Sequence, residues 1–369
     1  MERVHVDLGA RSYPIIIGPG LLDKAGEILP EFRVRKAFVV TDTRVDKLHG
    51  SKLRNALSHA GVEASFAVIP PGERQKSLKR LGILAAQMLA QGFDRSSTVI
   101  AFGGGVIGDL AGFLAAVFMR GVNYVQVPTT LLACVDSSIG GKTAVNLPQS
   151  KNCIGAFHQP ILVIEDVELL RTLSKRDLRA GAVELIKHGF ILDPDLYNQL
   201  SSDFKRLLEL EPGFTSQALR RSCEIKARVV SADERESGYR AILNFGHTVG
   251  HALESTAGYG VYRHGEAVAV GMLAEAMLAE RIGFAQEPVW QPLNTLFSKM
   301  RLPTHIPQKI STQKLLNTMY TDKKNRDGNL TIVLPRKIGC VEPVTLRSVS
   351  DLNQVLLQMQ RQEDKTTAL

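Results

Sequence analysis

Cysteine is scarce and never paired. Cys134, Cys153, Cys223 and Cys340 lie far apart, and no C-x-x-C occurs. That excludes a disulfide framework and a zinc ribbon, so the thiols read as free and any bound metal takes histidine and carboxylate ligands. Aromatic residues are also few, 6% of the chain. Lys and Arg are spread along it with acids between them, so neither feature of a nucleic-acid surface is present. No apolar run is long enough to span a bilayer. The opening MERVHVDLGARSYPIII has no signal-peptide core behind its charges, so the expected location is the cytoplasm, with no membrane partner. Internal repeats and low-complexity linkers are missing as well.

What is present is an ordinary globular composition over 369 residues, a length that predicts two domains. The formal charge of +8 is mostly a solvated surface, with a small anionic substrate as the more specific use for part of it. In the first half, β-branched runs alternate with amphipathic ones. VHVDLG and YPIIIG predict an opening strand pair. KAFVVTD, EASFAVIP, STVIAFGGG, NYVQVPTT and PILVIED predict further strands, with helices over LLDKAGEIL, DKLHGSKLRNALSHAG and KSLKRLGILAAQMLAQG. Strands alternating with helices imply βαβ units. Past Thr172 the pattern turns helical, with one apolar run, LTIVLP, at 330–335. The expected fold is an N-terminal α/β domain, 1–174, with a parallel Rossmann-like sheet, and a mainly α-helical C-terminal domain, 175–369. The expected active site lies in the interdomain cleft.

Several stretches carry chemistry. AFGGGVIGDLAGFLAAV runs from a strand through three glycines into a helix. Such a turn brings backbone close to a pyrophosphate at a helix N-terminus. On these residues alone an ordinary tight turn is an equal reading. In PPGERQK, Glu73 suits ribose hydroxyls and Lys76 suits phosphate; Asp42, ending KAFVVTD, holds a similar position. Alone, each reads first as a surface turn. VPTTLLACVDSSIGGKTAVNLPQSKNCIGAFHQP, 127–160, predicts a long functional loop whose Asp136, Lys142, Lys151 and Asn152 suit a polyhydroxylated anion. In GAVELIKHG, Glu184 sits among apolar neighbours and needs a cation, with Lys187 and His188 at i+3 and i+4. LNFGHTVGHALE places His247 and His251 on one helical face, close enough to share an ion, but without the glutamate of a His-Glu-x-x-His site. Whether both, one or neither binds metal stays open at this point. YRHGEAVAVGM starts an apolar helix with His264.

Taken in order, GGGVIGD, VPTTLLACVDSSIGGKTAVN, KNCIGAFHQP, ELIKHG, NFGHTVGHALE and RHGEAVAVGM resemble the sugar phosphate cyclase family. The likeness runs from the strand ending TD to the DKK near 323. The resemblance implies a zinc or cobalt ion held by Glu184, His247 and His264, with His251 touching substrate. Two histidines and one glutamate with open positions form a catalytic pattern, since a closed structural site uses four protein ligands. NAD contacts are implied at Pro71, Gly72, Glu73, Arg74, Gln75 and Lys76. They are implied also at Gly105, Val106, Ile107, Gly108 and Asp109, at Thr129 and Thr130, at Lys142 and Lys151, and at Leu169, Leu170, Arg171 and Thr172. Substrate contacts are implied at Asp136, Lys142, Asn152, Lys187, Lys226, Arg240, Asn244 and His251, and at Lys323 or Lys324. Arg120 resembles an arginine that reaches the neighbouring subunit's phosphate pocket, which implies a homodimer. Ala144 and Val183 depart from the family's usual glycine and alanine, adding bulk but removing no ligand.

The implied reaction turns 3-deoxy-D-arabino-heptulosonate 7-phosphate into 3-dehydroquinate and phosphate. NAD takes a hydride from C5 beside the metal, phosphate leaves by β-elimination, the hydride returns, and the opened ring closes by an intramolecular aldol step. The alternatives are a cyclase acting on another heptulose phosphate, a metal-dependent alcohol or glycerol dehydrogenase, and a binding protein without catalysis. The Lys and Arg cluster argues against a dehydrogenase, and the intact Glu184/His247/His264 set against a dead scaffold.

Overall fold

The computed structural model describes residues 1–258, 260–320 and 330–366. The chain divides into two compact units, Met1–Leu178 with Arg206–Arg235, and Arg179–Lys205 with Glu236–Leu369.

In the first unit the apolar runs form β1 (Glu2–Val6), β2 (Tyr13–Gly18), β3 (Lys36–Asp42), β4 (Glu63–Ile69), β5 (Thr98–Gly103) and β6 (Asn123–Pro128). A hairpin of β7 (Lys142–Leu147) and β8 (Ser150–Phe157) follows, then β9 (Leu162–Asp166). Seven of these pair in the order β1-β2-β9-β6-β5-β3-β4. β1 is antiparallel to β2, and every other pairing in that sheet is parallel. Val39, Ile100 and Val125 enter one buried cluster, while their neighbours Phe38, Val99 and Tyr124 enter another. A sheet covered on both faces explains why its strands read as unbroken apolar runs.

The strand order reverses between β3 and β5. From β3 the chain steps outward to β4, then crosses back to lay β5 on the other side of β3. Ligands of open α/β sheets bind outside the carboxyl ends of the strands at such a reversal. The triple glycine leaves β5 at this point, and Asp42 ends β3 beside it.

Two expectations change. The stretch 127–160 is no continuous loop: Ala133–Ser137 forms one helical turn, and β7 and β8 pair from Lys142↔Phe157 to Leu147↔Ser150. Its small and polar residues hid the strand period, because both faces of the hairpin carry partly exposed positions. The second concerns the segment after 174. The helix Pro212–Ala232 packs on β1 and β2 in the first unit. Its amphipathic pattern resembles that of its neighbours and does not say which surface it covers.

The second unit is helical, and its apolar run near 330 becomes β10 (Thr331–Lys337), paired antiparallel with β11 (Cys340–Thr345). All four cysteines are free. Among the described residues no helix is long and apolar enough to cross a membrane.

Candidate active site

Three helices of the second unit bring the expected metal ligands together. Glu184 lies on Lys175–Leu192, His247 and His251 on His247–Ala257, and His264 opens His264–Arg281. Glycine lets these helices touch. A Cβ on Gly265 would stand 1.9 Å from the Ala180 carbonyl oxygen, and one on Gly271 1.9 Å from that of Gly246. At the entry to the third helix, Glu266 accepts from the Arg263 N–H at 2.9 Å, which holds the first turn that carries His264.

Glu184 is fully buried, and neither carboxylate oxygen accepts a hydrogen bond. Oε2 has the Lys187 ammonium at 2.5 Å in an ion pair that lacks hydrogen-bond geometry. Oε1 lies 3.6 Å from His247 Nε2 and 3.7 Å from His264 Nε2. Donor nitrogens of His247, His251 and His264 all fall within 4.8 Å of one another. Ligand atoms around one tetrahedral zinc or cobalt ion stand about 3.4 Å apart, as bond lengths of about 2.0–2.2 Å require. The donor set is nitrogen and oxygen, with a buried carboxylate at its base whose Oε1 accepts no hydrogen bond, so the residues fit a divalent metal.

The far side of each expected imidazole ligand has an orienting partner. His247 Nδ1 donates to the Phe245 carbonyl at 3.2 Å, which leaves Nε2 toward Glu184. His264 Nδ1 has Glu254 Oε2 at 3.6 Å. Lys187 and Arg240 are buried, and Asn244 donates to Glu236 at 2.8 Å. Val183, next to Glu184 in the chain, is buried. Lys323 and Lys324 lie outside the described residues.

In the first unit most of the expected cofactor residues lie at or just after the carboxyl ends of β3, β4, β5, β6 and β9, while Lys142 and Lys151 lie on the β7–β8 hairpin. The buried Lys76 pairs with Asp109 and donates to Asn152 Oδ1 at 2.5 Å, tying the loop after β4 to the helix after the triple glycine and to β8. Asn146 donates to Glu73 at 2.7 Å and accepts from the Asn152 N–H at 2.9 Å. Burial pushes the Asp109 carboxyl up to about 6, with the Lys76 ammonium pulling the other way. Cβ atoms on Gly104 and Gly105 would come within 3.1 Å of Thr130 and Ser137, so the glycines leave a cradle at this strand end that side chains would fill. Gly105, Val106, Ile107, Gly108 and Asp109 form the first turn of the helix Gly105–Val117, with Thr129 and Thr130 on the adjacent loop. This suits the pyrophosphate of a dinucleotide. Lys226 donates to Asp136 through both its carboxylate and its backbone carbonyl.

Other expected residues stand apart or are otherwise engaged. Asp42 caps the turn after β3, accepting from Arg44 and Val45 at 2.8 and 3.0 Å. Pro71, Gly72, Arg74 and Lys142 are exposed, and Gln75 accepts from Arg80 at 2.9 Å. Lys151 is half-buried on β8. Leu169 and Leu170 are buried, while Arg171 pairs with Glu168 at 2.6 Å. Arg120 is exposed with φ 69°, a left-handed conformation. Ala144 pairs with Gly155, whose missing side chain makes room for the extra methyl.

Three residues escaped the sequence. His49 Nε2 meets Thr172 Oγ1 at 3.0 Å, and Thr172 donates to the Leu169 carbonyl at 2.9 Å, so His49 braces the turn after β9. Nothing local to His49 points there. Glu254 stands seven residues after His247 on the same face, a spacing that was readable. Glu275 is the lone acid in VAVGMLAEAML; it accepts from the Gly246 N–H at 2.6 Å, and burial pushes its carboxyl up to about 8 against opposing backbone hydrogen bonds.

Residues 66–180 match the family described as 3-dehydroquinate synthase N-terminal, and residues 181–325 the one described as 3-dehydroquinate synthase C-terminal. A 3-dehydroquinate synthase of Desulforamulus reducens is 46% identical across 97% of this chain and 100% of its own length. The solved 2-epi-5-epi-valiolone synthase of Streptomyces hygroscopicus subsp. jinggangensis, with NAD+ and Zn2+ bound, is 29% identical. It superposes with a TM-score of 0.87 over 95% of this chain and 97% of that one. A 2-deoxy-scyllo-inosose synthase complexed with carbaglucose-6-phosphate, NAD+ and Co2+ is 26% identical, with a TM-score of 0.87 over 97% of this chain and 100% of that one.

Proposed function

The chain belongs to the 3-dehydroquinate synthase family, and from that premise we propose that Glu184, His247 and His264 hold its metal while His251 faces the substrate. The enzyme converts 3-deoxy-D-arabino-heptulosonate 7-phosphate to 3-dehydroquinate and phosphate, a lyase reaction with NAD and a divalent metal as cofactors. When bound, the metal supplies Lewis acidity at the substrate oxygen and NAD accepts and returns a hydride. The observation that carries the assignment is the Glu184 carboxylate, fully buried, with one oxygen ion-paired to Lys187 and the other 3.6 and 3.7 Å from two imidazoles.

The other groups bind and orient. NAD takes the loops after β4, β5, β6 and β9, its pyrophosphate over Gly105–Asp109 and its remaining contacts from residues 71–76, Thr129, Thr130, Lys142, Lys151 and the Leu169–Thr172 turn. The substrate's phosphate and carboxylate take Lys142, Lys187, Arg240 and a lysine of the DKK, with Asp136, Asn152, Lys226 and Asn244 on its hydroxyls. Arg240 offers the forked donor geometry that suits an oxyanion. His251 holds and moves the proton of the substrate hydroxyl that is oxidised. Arg120 completes the phosphate pocket of a second copy, which makes the working form a homodimer, and the enzyme acts in the cytoplasm.

The test is to incubate the protein with catalytic NAD, zinc or cobalt and the heptulosonate phosphate, measuring phosphate and dehydroquinate together. Equal release of both without lasting NADH is expected. NADH that accumulates without phosphate would establish the dehydrogenase instead.

A further inference from the structure

We propose that Glu275 is a positioning residue for the metal centre, acting on His247 through the single peptide group between Phe245 and Gly246. Both polar ends of that peptide are used. Its N–H, from Gly246, donates to Glu275 Oε2 at 2.6 Å. Its carbonyl, from Phe245, accepts from His247 Nδ1 at 3.2 Å. Carboxyl, peptide and imidazole therefore form one chain of hydrogen bonds. A peptide group is planar, so fixing its N–H fixes the direction of its carbonyl. That carbonyl in turn sets the tautomer and tilt of His247 and leaves Nε2 for the ion. Hydrogen bonds in such a chain also polarise one another.

The surroundings of Glu275 fit this role. It is fully buried in a helix whose neighbouring residues from Gly265 to Ala279 are buried too. A carboxyl in that setting is costly unless it is hydrogen-bonded. Its second oxygen reaches the Val249 N–H at 3.5 Å. The first turn of His247–Ala257 has no side-chain cap of its own, because the residue before it is Gly246. A neighbouring helix thus supplies an acceptor to N–H groups that helix geometry leaves unpaired. Gly271, one turn before Glu275, abuts the Gly246 carbonyl, where a Cβ would come within 1.9 Å. Glu275 and Gly271 hold the peptides on either side of Gly246, and His247 is the next residue.

This inference rests on His247 being a metal ligand, and the experiment separates the two ideas. Glu275→Asp keeps the carboxyl group but withdraws it by one methylene; Glu275→Gln keeps the reach and an accepting oxygen but cannot ionise. Affinity for Co2+ and its visible absorption bands are measured by chelator competition on wild type, both variants and His264→Ala. The Asp variant is expected to bind Co2+ about 10–100-fold more weakly with altered bands, and the Gln variant to stay close to wild type. Wild-type affinity and bands in the Asp variant, or a loss in the Gln variant as deep as in the Asp variant, would overturn the role of Glu275. Full metal content in His264→Ala would instead remove the metal-site assignment beneath it.

Discussion

His264→Ala is expected to abolish turnover because it removes one of the three proposed metal ligands; metal analysis beside the phosphate-release assay checks both halves. Lys142→Ala is expected to raise KM severely, since an anionic substrate loses a cation, and unchanged kinetics would place Lys142 outside the pocket. Asp109 gives a pH signature. Its folded pKa is raised from 3.8 to about 6, so the native state holds that proton more tightly than the unfolded chain does. Stability from this group is then largest below 3.8 and falls as the pH climbs to about 6. In the cofactor-free protein, the Tm of Asp109→Asn should gain on wild type across that window, and parallel curves would contradict it. Glu184 stood out in the sequence because an ionisable side chain in apolar surroundings asks for a partner; joining it to His247 and His264 took the family resemblance. Glu275 met the same criterion but gave no hint of its partner, which is backbone from a distant stretch. Glu73 and Asp42 looked alike as acids near strand ends; the fold separates the one that accepts from Asn146 from the one that caps its own turn.

Strands buried on both faces and helices between them announced the parallel sheet. The β7–β8 hairpin did not announce itself, since alternation blurs where Gly155 has no side chain and where Lys142 and Asn152 lie exposed. Helix contacts were equally silent, because a glycine in an apolar helix reads as composition until its neighbour is known. Gly271→Ala tests one such contact. Alanine gains about 1 kcal/mol of helix propensity, but its methyl meets the Gly246 carbonyl, and forced overpacking costs about 1–3 kcal/mol. Net destabilisation in urea is expected together with weaker metal binding. A stabilised variant with intact metal affinity would show that the two helices part without consequence.

Two compact units followed from length, but the route of the chain between them did not. A boundary near 174 is the natural cut where strand signals stop; helical periodicity cannot tell that Arg206–Arg235 returns to the sheet. The positive charge belongs to the chain as a whole. If its field gathers the anionic substrate, kcat/KM should fall as salt rises while kcat changes little. A kcat/KM indifferent to ionic strength would reduce the +8 to a matter of solubility.

The late return of the helix Pro212–Ala232 to β1 and β2 has a consequence for biogenesis. β1 and β2 leave the ribosome well before their cover, which is encoded some two hundred codons downstream. Until Arg235 emerges, the nascent sheet presents bare apolar surface, while the Arg179–Lys205 excursion hangs between the two parts of its host. Chaperones should therefore engage the nascent polypeptide before that codon and release it soon after.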